Sequence, residues 1–340
     1  MIYVRRWHND GAVGGIMDWG GKVVTNEKIR IGVSSCLLGE RVRYDGDHKR
    51  DDFVTDILGI TCEFVSVCPE VAIGMGVPRP PIRLTGDPVS PRALGVTDPD
   101  LDVTAALTAY GRRMAWELED IDAYIFKSRS PSCGTARVKV YAAGKTPRAQ
   151  GIGLYAREIM AQQPLLPVAD EEQLADPAAR DNFIERVFAY RRWRRLLISG
   201  FTPAKLAEFH SVHKLSVMAH GAVYCRALGR LAAQGKAQRP RKLCEQYGAE
   251  FMEALKHPAT RKRHANVLQH LIGYLKKHLD GADKAELLEV IDSYRTGVVP
   301  LIAPVTLLKH HFRRFPHPYV AKQVYLYPDP AESLLRNLSM

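Results

Sequence analysis

Three of the six cysteines, Cys36, Cys68 and Cys133, fall in turns of small or rigid residues: Ser34-Ser35-Cys36, Val67-Cys68-Pro69 and Ser132-Cys133-Gly134. Each follows a short apolar run that reads as a strand. In an open parallel sheet the loops at the carboxyl ends of the strands converge on one crevice, so residues remote in sequence can meet there. Three thiolates meeting at one point would hold a metal ion or an iron–sulfur cluster, and three ligands rather than four would leave one iron open to substrate. Zinc with three sulfurs and a water is the competing centre. No CxxC compacts these cysteines, so spacing alone is equally consistent with three small buried hydrophobes. That plainer expectation holds for Cys62, at a strand start, and for Cys225 and Cys244, on helices with apolar neighbours.

The elements that would position the three thiols begin at Ile29. An apolar run over 29–34 predicts a strand, followed by the Cys36 loop and a helix near 50–58. A second strand over 63–67 stops at Cys68-Pro69. Helical spacing over 102–118 puts Val103, Leu107, Tyr110, Met114 and Leu118 on one face. A third strand, 123–126, runs into the Cys133 loop; Gly151-Ile152-Gly153 opens another helix, and 165–168 reads as a last strand. This alternation predicts an α/β domain with a mostly parallel, Rossmann-like three-layer sheet. Beyond the polar stretch 170–180 strand signals nearly vanish. Helices are expected at 182–199, 203–234, 242–257, 259–279, 284–296 and 302–312, before a tail punctuated by proline over 316–330. The predicted organisation is an N-terminal extension (1–28), an α/β domain (29–175) and an all-α domain (182–340).

Charge is divided unevenly between these parts. Residues 1–180 carry 22 Lys+Arg against 24 Asp+Glu, whereas 181–340 carry 26 against 13, so the whole net charge of +11 resides in the helical half. Such a surface suits a polyanion, nucleic acid first. No apolar stretch is long enough to span a bilayer and the N-terminus lacks the apolar core of a signal peptide, which predicts a cytoplasmic protein without membrane contact. In that reducing compartment the cysteines are expected as ligands or nucleophiles rather than disulfides.

The ordered set Ser35-Cys36-Leu37-Leu38-Gly39, Arg43-Tyr44-Asp45-Gly46, Val67-Cys68-Pro69-Glu70, Pro78-Arg79-Pro80 and Phe126-Lys127 with Arg129-Ser130-Pro131-Ser132-Cys133-Gly134 resembles the bacterial thiouracil desulfidase family. The second half resembles the helical domain found fused to that desulfidase, through Phe209-His210-Ser211-Val212-His213-Lys214-Leu215, Asn266-Val267-Leu268-Gln269-His270-Leu271 and Leu307-Leu308-Lys309-His310-His311-Phe312. The fused form is similar to tRNA 4-thiouridine desulfidases. The resemblance implies that Cys36, Cys68 and Cys133 ligate a 4Fe–4S cluster with one open iron. It also implies a tRNA containing 4-thiouridine as substrate and partner; no obligate protein partner is inferred.

Replacing C=S by C=O needs a thiophilic acceptor for sulfur, a general base for water and donors for charge developing on the ring. Glu70, two residues beyond Cys68, is the candidate base, with capping of the helix after Pro69 as its competing role. Ser130 is the candidate proton relay or ring contact, and Ser132 a donor to sulfur or backbone. Arg43, Arg79 and Lys127 are candidates for phosphate or ring oxygen, Arg43 with a structural pairing to Asp45 as the alternative. His210, His213 and His220 are expected to be buried or RNA-facing rather than metal ligands. Arg261, Lys262 and Arg263 stand for the phosphate-tracking surface of the helical domain. The competing functions are a cluster-bearing RNA-binding regulator without turnover and a desulfidase of free thiouracil.

Overall fold

The computed structural model describes residues 16–17, 23–24, 28–142, 146–234 and 239–338. Of the N-terminal extension, Ile16–Met17 pairs antiparallel with Val23–Val24; the rest up to Glu27 lies outside the described residues. The chain divides into two compact units, one made of the residues up to Phe183 together with Leu338 and one spanning Ile184–Asn337.

The first unit is built on two sheets. β1 (Ile29–Ser34), β2 (Cys62–Val67), β5 (Ala123–Phe126) and β8 (Val168–Asp170) form a parallel sheet in the order β8-β5-β1-β2. The two inner strands are the most apolar: every residue of β5 is buried, as are all but Arg30 of β1. Burial on both faces is what a parallel sheet demands, and the unbroken apolar runs at these positions are its sequence trace. Gly32 lies where the ring of Tyr124 crosses β1; a Cβ there would sit 2.5 Å from the ring.

The second sheet is mixed and was not anticipated. β3 (Ile82–Thr85), β4 (Arg92–Gly95), β6 (Val138–Tyr141) and β7 (Pro147–Gly151) lie in the order β4-β3-β6-β7, with β3 and β6 parallel and the outer pairs antiparallel. Its buried face carries Ile82, Leu84, Ala93, Val138 and Val140, packed with Val103, with Leu107 of the next helix and with Leu154. Helices α1 (Pro69–Ala72), α2 (Thr104–Glu117) and α3 (Leu154–Gln162) complete the unit. The helix expected near 50–58 is a π-helical turn, Phe53–Ile57, run into a 3-10 turn, Leu58–Ile60. Three β-branched residues in Phe53–Ile57, Val54, Thr55 and Ile57, disfavour a longer α-helix there.

The second unit is all helical. α4 (Pro177–Ile198) leads into it, followed by α5 (Pro203–His220), α6 (Ala222–Ala233), α7 (Pro240–Leu255), α8 (Arg261–Leu275), α9 (Gly281–Thr296), α10 (Ile302–Arg314) and α11 (Pro330–Leu338). The single helix expected over 203–234 is broken at Gly221, which caps α5 and starts α6. Gly281 opens α9 behind the N-cap Asp280, whose carboxylate accepts from the Asp283 amide at 2.8 Å. Leu268, Leu271, Leu275, Leu287, Leu308 and Leu326, all fully buried, centre this unit's main core.

Candidate functional site

The three cysteines stand where strand ends meet. Cys36 lies in the 3-10 turn Ser35–Leu38 directly after β1, Cys68 is the N-cap of α1 directly after β2, and Cys133 follows β5 by way of a tight loop. β1, β2 and β5 are neighbours in one parallel sheet. Their carboxyl ends therefore open on one side, and all three cysteines line a single cavity of about 390 Å³. None is in a disulfide. Cys36 and Cys133 are nearly inaccessible. Burial pushes the Cys36 thiol up to about 11 despite the pull of Lys127 and Arg43. Burial likewise raises Cys68, and lifts Cys133 well above the ordinary range although the Ser34 hydroxyl bonds to it. The sulfurs sense one another's charge: ionising Cys68 disfavours the thiolate at Cys36 and Cys133. These are protonated thiols at neutral pH unless a cation joins them, which suits ligands better than free nucleophiles. Among the described residues no three His, Cys, Asp or Glu side chains gather closely enough to hold a single metal ion.

The Cys133 loop is held by the start of α3. The amides of Gly153, Leu154 and Ala156 donate to the carbonyls of Gly134, Pro131 and Ser132 at 2.8, 3.0 and 3.1 Å. A helix N-terminus has amides without intrahelical partners, and here the loop's carbonyls take them. The contact requires glycine: a Cβ on Gly153 would lie 2.5 Å from the Ser132 carbonyl. Arg129, at the entry to the loop, is a non-glycine residue at φ 56. Left-handed backbone on a side chain of that size is costly and concentrates at functional loops.

Glu70 lines the same cavity and is tightly engaged. Its Oε2 accepts from Arg79 Nε at 2.9 Å and Nη2 at 2.6 Å, and its Oε1 accepts from Ser132 Oγ at 2.7 Å. The carboxylate bonds to Arg79 and Ser132, and it stands in the first turn of α1 as that turn's acidic residue. Arg79 also donates through Nη1 to the carbonyls of Val42 at 2.8 Å and Gly76 at 3.0 Å. Although it borders the cavity, its side chain is only 3% exposed. With four donor contacts spent on the protein, it positions Glu70 and two loops rather than offering itself to phosphate or ring oxygen.

The two serines have different surroundings. Ser130 lines the cavity, and its Oγ accepts from the amides of Ser132 (3.2 Å) and Cys133 (3.1 Å), so it shapes the loop while its own hydroxyl proton stays available. Ser132, expected to serve sulfur or backbone, is completely buried and is instead the hydrogen-bond donor to Glu70. Arg43 lines the cavity with its guanidinium paired to Asp45 at 3.2 Å. Lys127 lines it too, its ammonium held by Glu171 and Ser128.

Two contributors escaped sequence reasoning. Ser34 accepts from the Lys127 amide at 2.9 Å while bonding to Cys133. Glu171 receives the Ser128 amide at 2.8 Å, its hydroxyl at 2.6 Å and Lys127. Burial would raise the Glu171 carboxyl, but the bonds from Lys127 and Ser128 outweigh it and hold it below its usual range. Both residues stand at carboxyl ends of parallel strands, which was the available signal.

In the helical unit Arg261, Lys262 and Arg263 form the exposed first turn of α8. Arg261 also donates to the Tyr294 carbonyl at 2.9 Å, and Arg263 to the His220 carbonyl at 2.8 Å, so both arginines have structural work beside any external role. The three singled-out histidines are bonded internally: His210 Nδ1 to Tyr247 (3.0 Å), His213 Nδ1 to the Phe209 carbonyl (2.7 Å) and His220 Nδ1 to the His257 carbonyl (2.7 Å).

Residues 31–171 match a family model described as 2-thiouracil desulfurase, and residues 214–330 match DUF1722, a protein family of unknown function. YbgA of Escherichia coli (strain K12), an uncharacterized protein, is 35% identical over 146 residues, 43% of this chain and 86% of YbgA. YbbK of Bacillus subtilis (strain 168), also uncharacterized, is 33% identical over 109 residues, 30% of this chain and 72% of YbbK. The solved structure of TudS, a 4Fe-4S-dependent thiouracil desulfidase, is 33% identical and covers 44% of this chain and 94% of its own, at a TM-score of 0.35.

Proposed function

Because the chain belongs to the 2-thiouracil desulfurase family, joined here to a DUF1722 domain, we propose that it desulfurises 4-thiouridine in tRNA: water replaces sulfur at C4 and sulfide leaves, with no net oxidation or reduction. The observation that carries this reading is the meeting of Cys36, Cys68, Cys133 and Glu70 around one cavity. The donor set fits a 4Fe–4S cluster ligated by the three cysteines. All three are undisulfided, share the cavity, and are raised thiols that a cationic centre would deprotonate. When bound, the cluster supplies a thiophilic Lewis acid for the departing sulfur, through an iron without a protein ligand.

The remaining steps fall to the chain. Three hydrogen bonds already reach the Glu70 carboxylate, two on Oε2 and one on Oε1. Its two oxygens together accept about four, so Oε1 keeps a site for the attacking water and receives its proton. Arg79 and Ser132 fix the plane of that carboxylate. The free hydroxyl proton of Ser130 and the cationic groups of Arg43 and Lys127 face the charge that builds on the ring. The RNA part of the reading rests on the excess of 26 Lys+Arg over 13 Asp+Glu in residues 181–340. A free base needs no such field.

The test is anaerobic purification with iron and sulfide analysis, then incubation with tRNA containing 4-thiouridine while the thione absorbance is followed. Loss of the band with sulfide release is expected; its persistence at full cluster loading refutes the enzymatic reading and leaves a regulator. Cys36→Ala, Cys68→Ala and Cys133→Ala should each abolish loading and turnover together. Glu70→Gln should load normally and lose roughly 10²- to 10⁴-fold in kcat, the usual worth of a general base. Lys262→Gln, which spares the two structurally engaged arginines, should flatten the salt dependence of tRNA binding; an unchanged slope puts the RNA surface elsewhere.

A further inference from the structure

The outer face of the mixed sheet carries a second cavity, of about 490 Å³, that no part of the proposed chemistry uses. Strand register explains its lining. Leu84 pairs with Val140, so the preceding residues Arg83 and Lys139 stand abreast, and Lys139 pairs with Gln150 on the other side. Ile82, Leu84, Val138 and Val140 belong to the core, and alternation sends Arg83, Lys139 and Tyr141 to the opposite face. Arg137, at φ 54, and Arg129 add two more cations.

Four cationic side chains thus line the groove and no Asp or Glu does. Among the described residues Arg129 alone of the four has an acid bonded to it, Glu172 at 3.0 Å. The Arg83 guanidinium lies over the Tyr141 ring, 5.2 Å from its centroid, with a buried Nε that has no hydrogen-bond partner among the described residues. Like charges crowded without counter-charge repel one another and concentrate an anion between them. The groove borders the cysteine cavity: Ile82, Arg129 and Pro131 line both.

We propose that this groove is an anion subsite for phosphate attached to the thiolated nucleoside, holding the adjoining strand while the base enters the cysteine cavity. The inference rests on the desulfidase reading above and adds that the α/β unit itself, and not only the basic helical unit, grips the nucleotide backbone. The two phosphate sources, a nucleoside monophosphate and an RNA strand, share this chemistry.

The test compares the cluster-loaded full chain with the double variant Arg137→Asn and Lys139→Gln. Both positions are exposed, and asparagine tolerates the left-handed backbone at 137. Three substrates are used: 4-thiouracil, 4-thiouridine 5′-monophosphate, and a short single-stranded oligoribonucleotide with one 4-thiouridine. A KM raised at least tenfold for the oligoribonucleotide, with kcat and 4-thiouracil turnover unchanged, is expected. Its salt slope should fall by about one, since each phosphate contact on a single strand contributes roughly 0.7. An equal rise for the monophosphate identifies one phosphate as the ligand; a rise for the oligoribonucleotide alone identifies the strand. KM values within twofold of the parent for both overturn the proposal, as does an equal loss on free 4-thiouracil. If the parent turns over none of the three, the desulfidase reading has failed. The groove is then judged by binding of an unmodified uridine oligoribonucleotide, and equal affinity of parent and variant overturns it.

Discussion

Arg79→Met is the most informative single substitution in the α/β unit. The methionine fills most of the arginine's volume but removes two charge-assisted bonds to Glu70 Oε2 and two donors to the carbonyls of Val42 and Gly76. Removing one partner of a buried ion pair costs about 3–5 kcal/mol, because the other charge stays buried. Glu70 retains 14% side-chain exposure toward the cavity, which places the cost near the lower end, about 3 kcal/mol. Hydrogen exchange read by mass spectrometry over β1 and β5 suits a chain of two units, since these buried strands exchange through opening of their own unit. A loss of about 3 kcal/mol should speed their exchange roughly a hundredfold. Glu70→Gln combined with Arg79→Met should cost less than the sum of the single changes, because no carboxylate is then stranded. Acceleration under threefold, or strict additivity, refutes the view that Arg79 holds a buried Glu70 in place.

Ser132→Ala should lower kcat about tenfold at full iron loading, by releasing Glu70 Oε1; Ser130→Ala should lower iron loading first, because two loop amides lose their acceptor. Iron analysis alongside kinetics separates the two, and the reverse assignment contradicts the geometry. Gly153→Ala should displace the Cys133 loop from α3 and reduce bound iron, given the 2.5 Å approach to Ser132; a fully loaded variant contradicts this. In the helical unit burial lowers His213 to about 3 and His264 to about 4 from an ordinary 6.5. Their contribution is complete above pH 6.5 and is lost as pH falls toward those values, about 2 kcal/mol each by pH 5. His220 runs the other way. Burial pulls it down, but Glu185 at 3.2 Å outweighs this and raises it, so its contribution is complete below 6.5 and is lost as pH rises through its folded value. Exchange over α5 and α8, corrected for intrinsic rate, should be slowest near pH 6.5, and Glu185→Gln should remove the alkaline decline. A flat profile between pH 5 and 6.5 refutes the account.

Periodicity and residue type alone determined a parallel α/β sheet, a helical basic half and the cysteine-bearing turns at strand ends. Continuous apolar runs such as Ala123–Phe126 admit little else, and alignment of parallel strand ends brings Cys36, Cys68 and Cys133 to one side. Other features exist only through contacts distant in sequence. The mixed sheet is made of short strands whose half-polar pattern is weak, and β3 meets β6 across more than fifty residues, so its basic outer face could not be read locally. The Glu70–Arg79 pair, the bond from Ser132 to Glu70, and the reach of Glu171 to Lys127 depend on side-chain direction after the loops have closed. Local sequence encodes backbone preference strongly and long-range side-chain partners hardly at all, because a donor's choice among several acceptors is made only once tertiary packing has removed water from the rest.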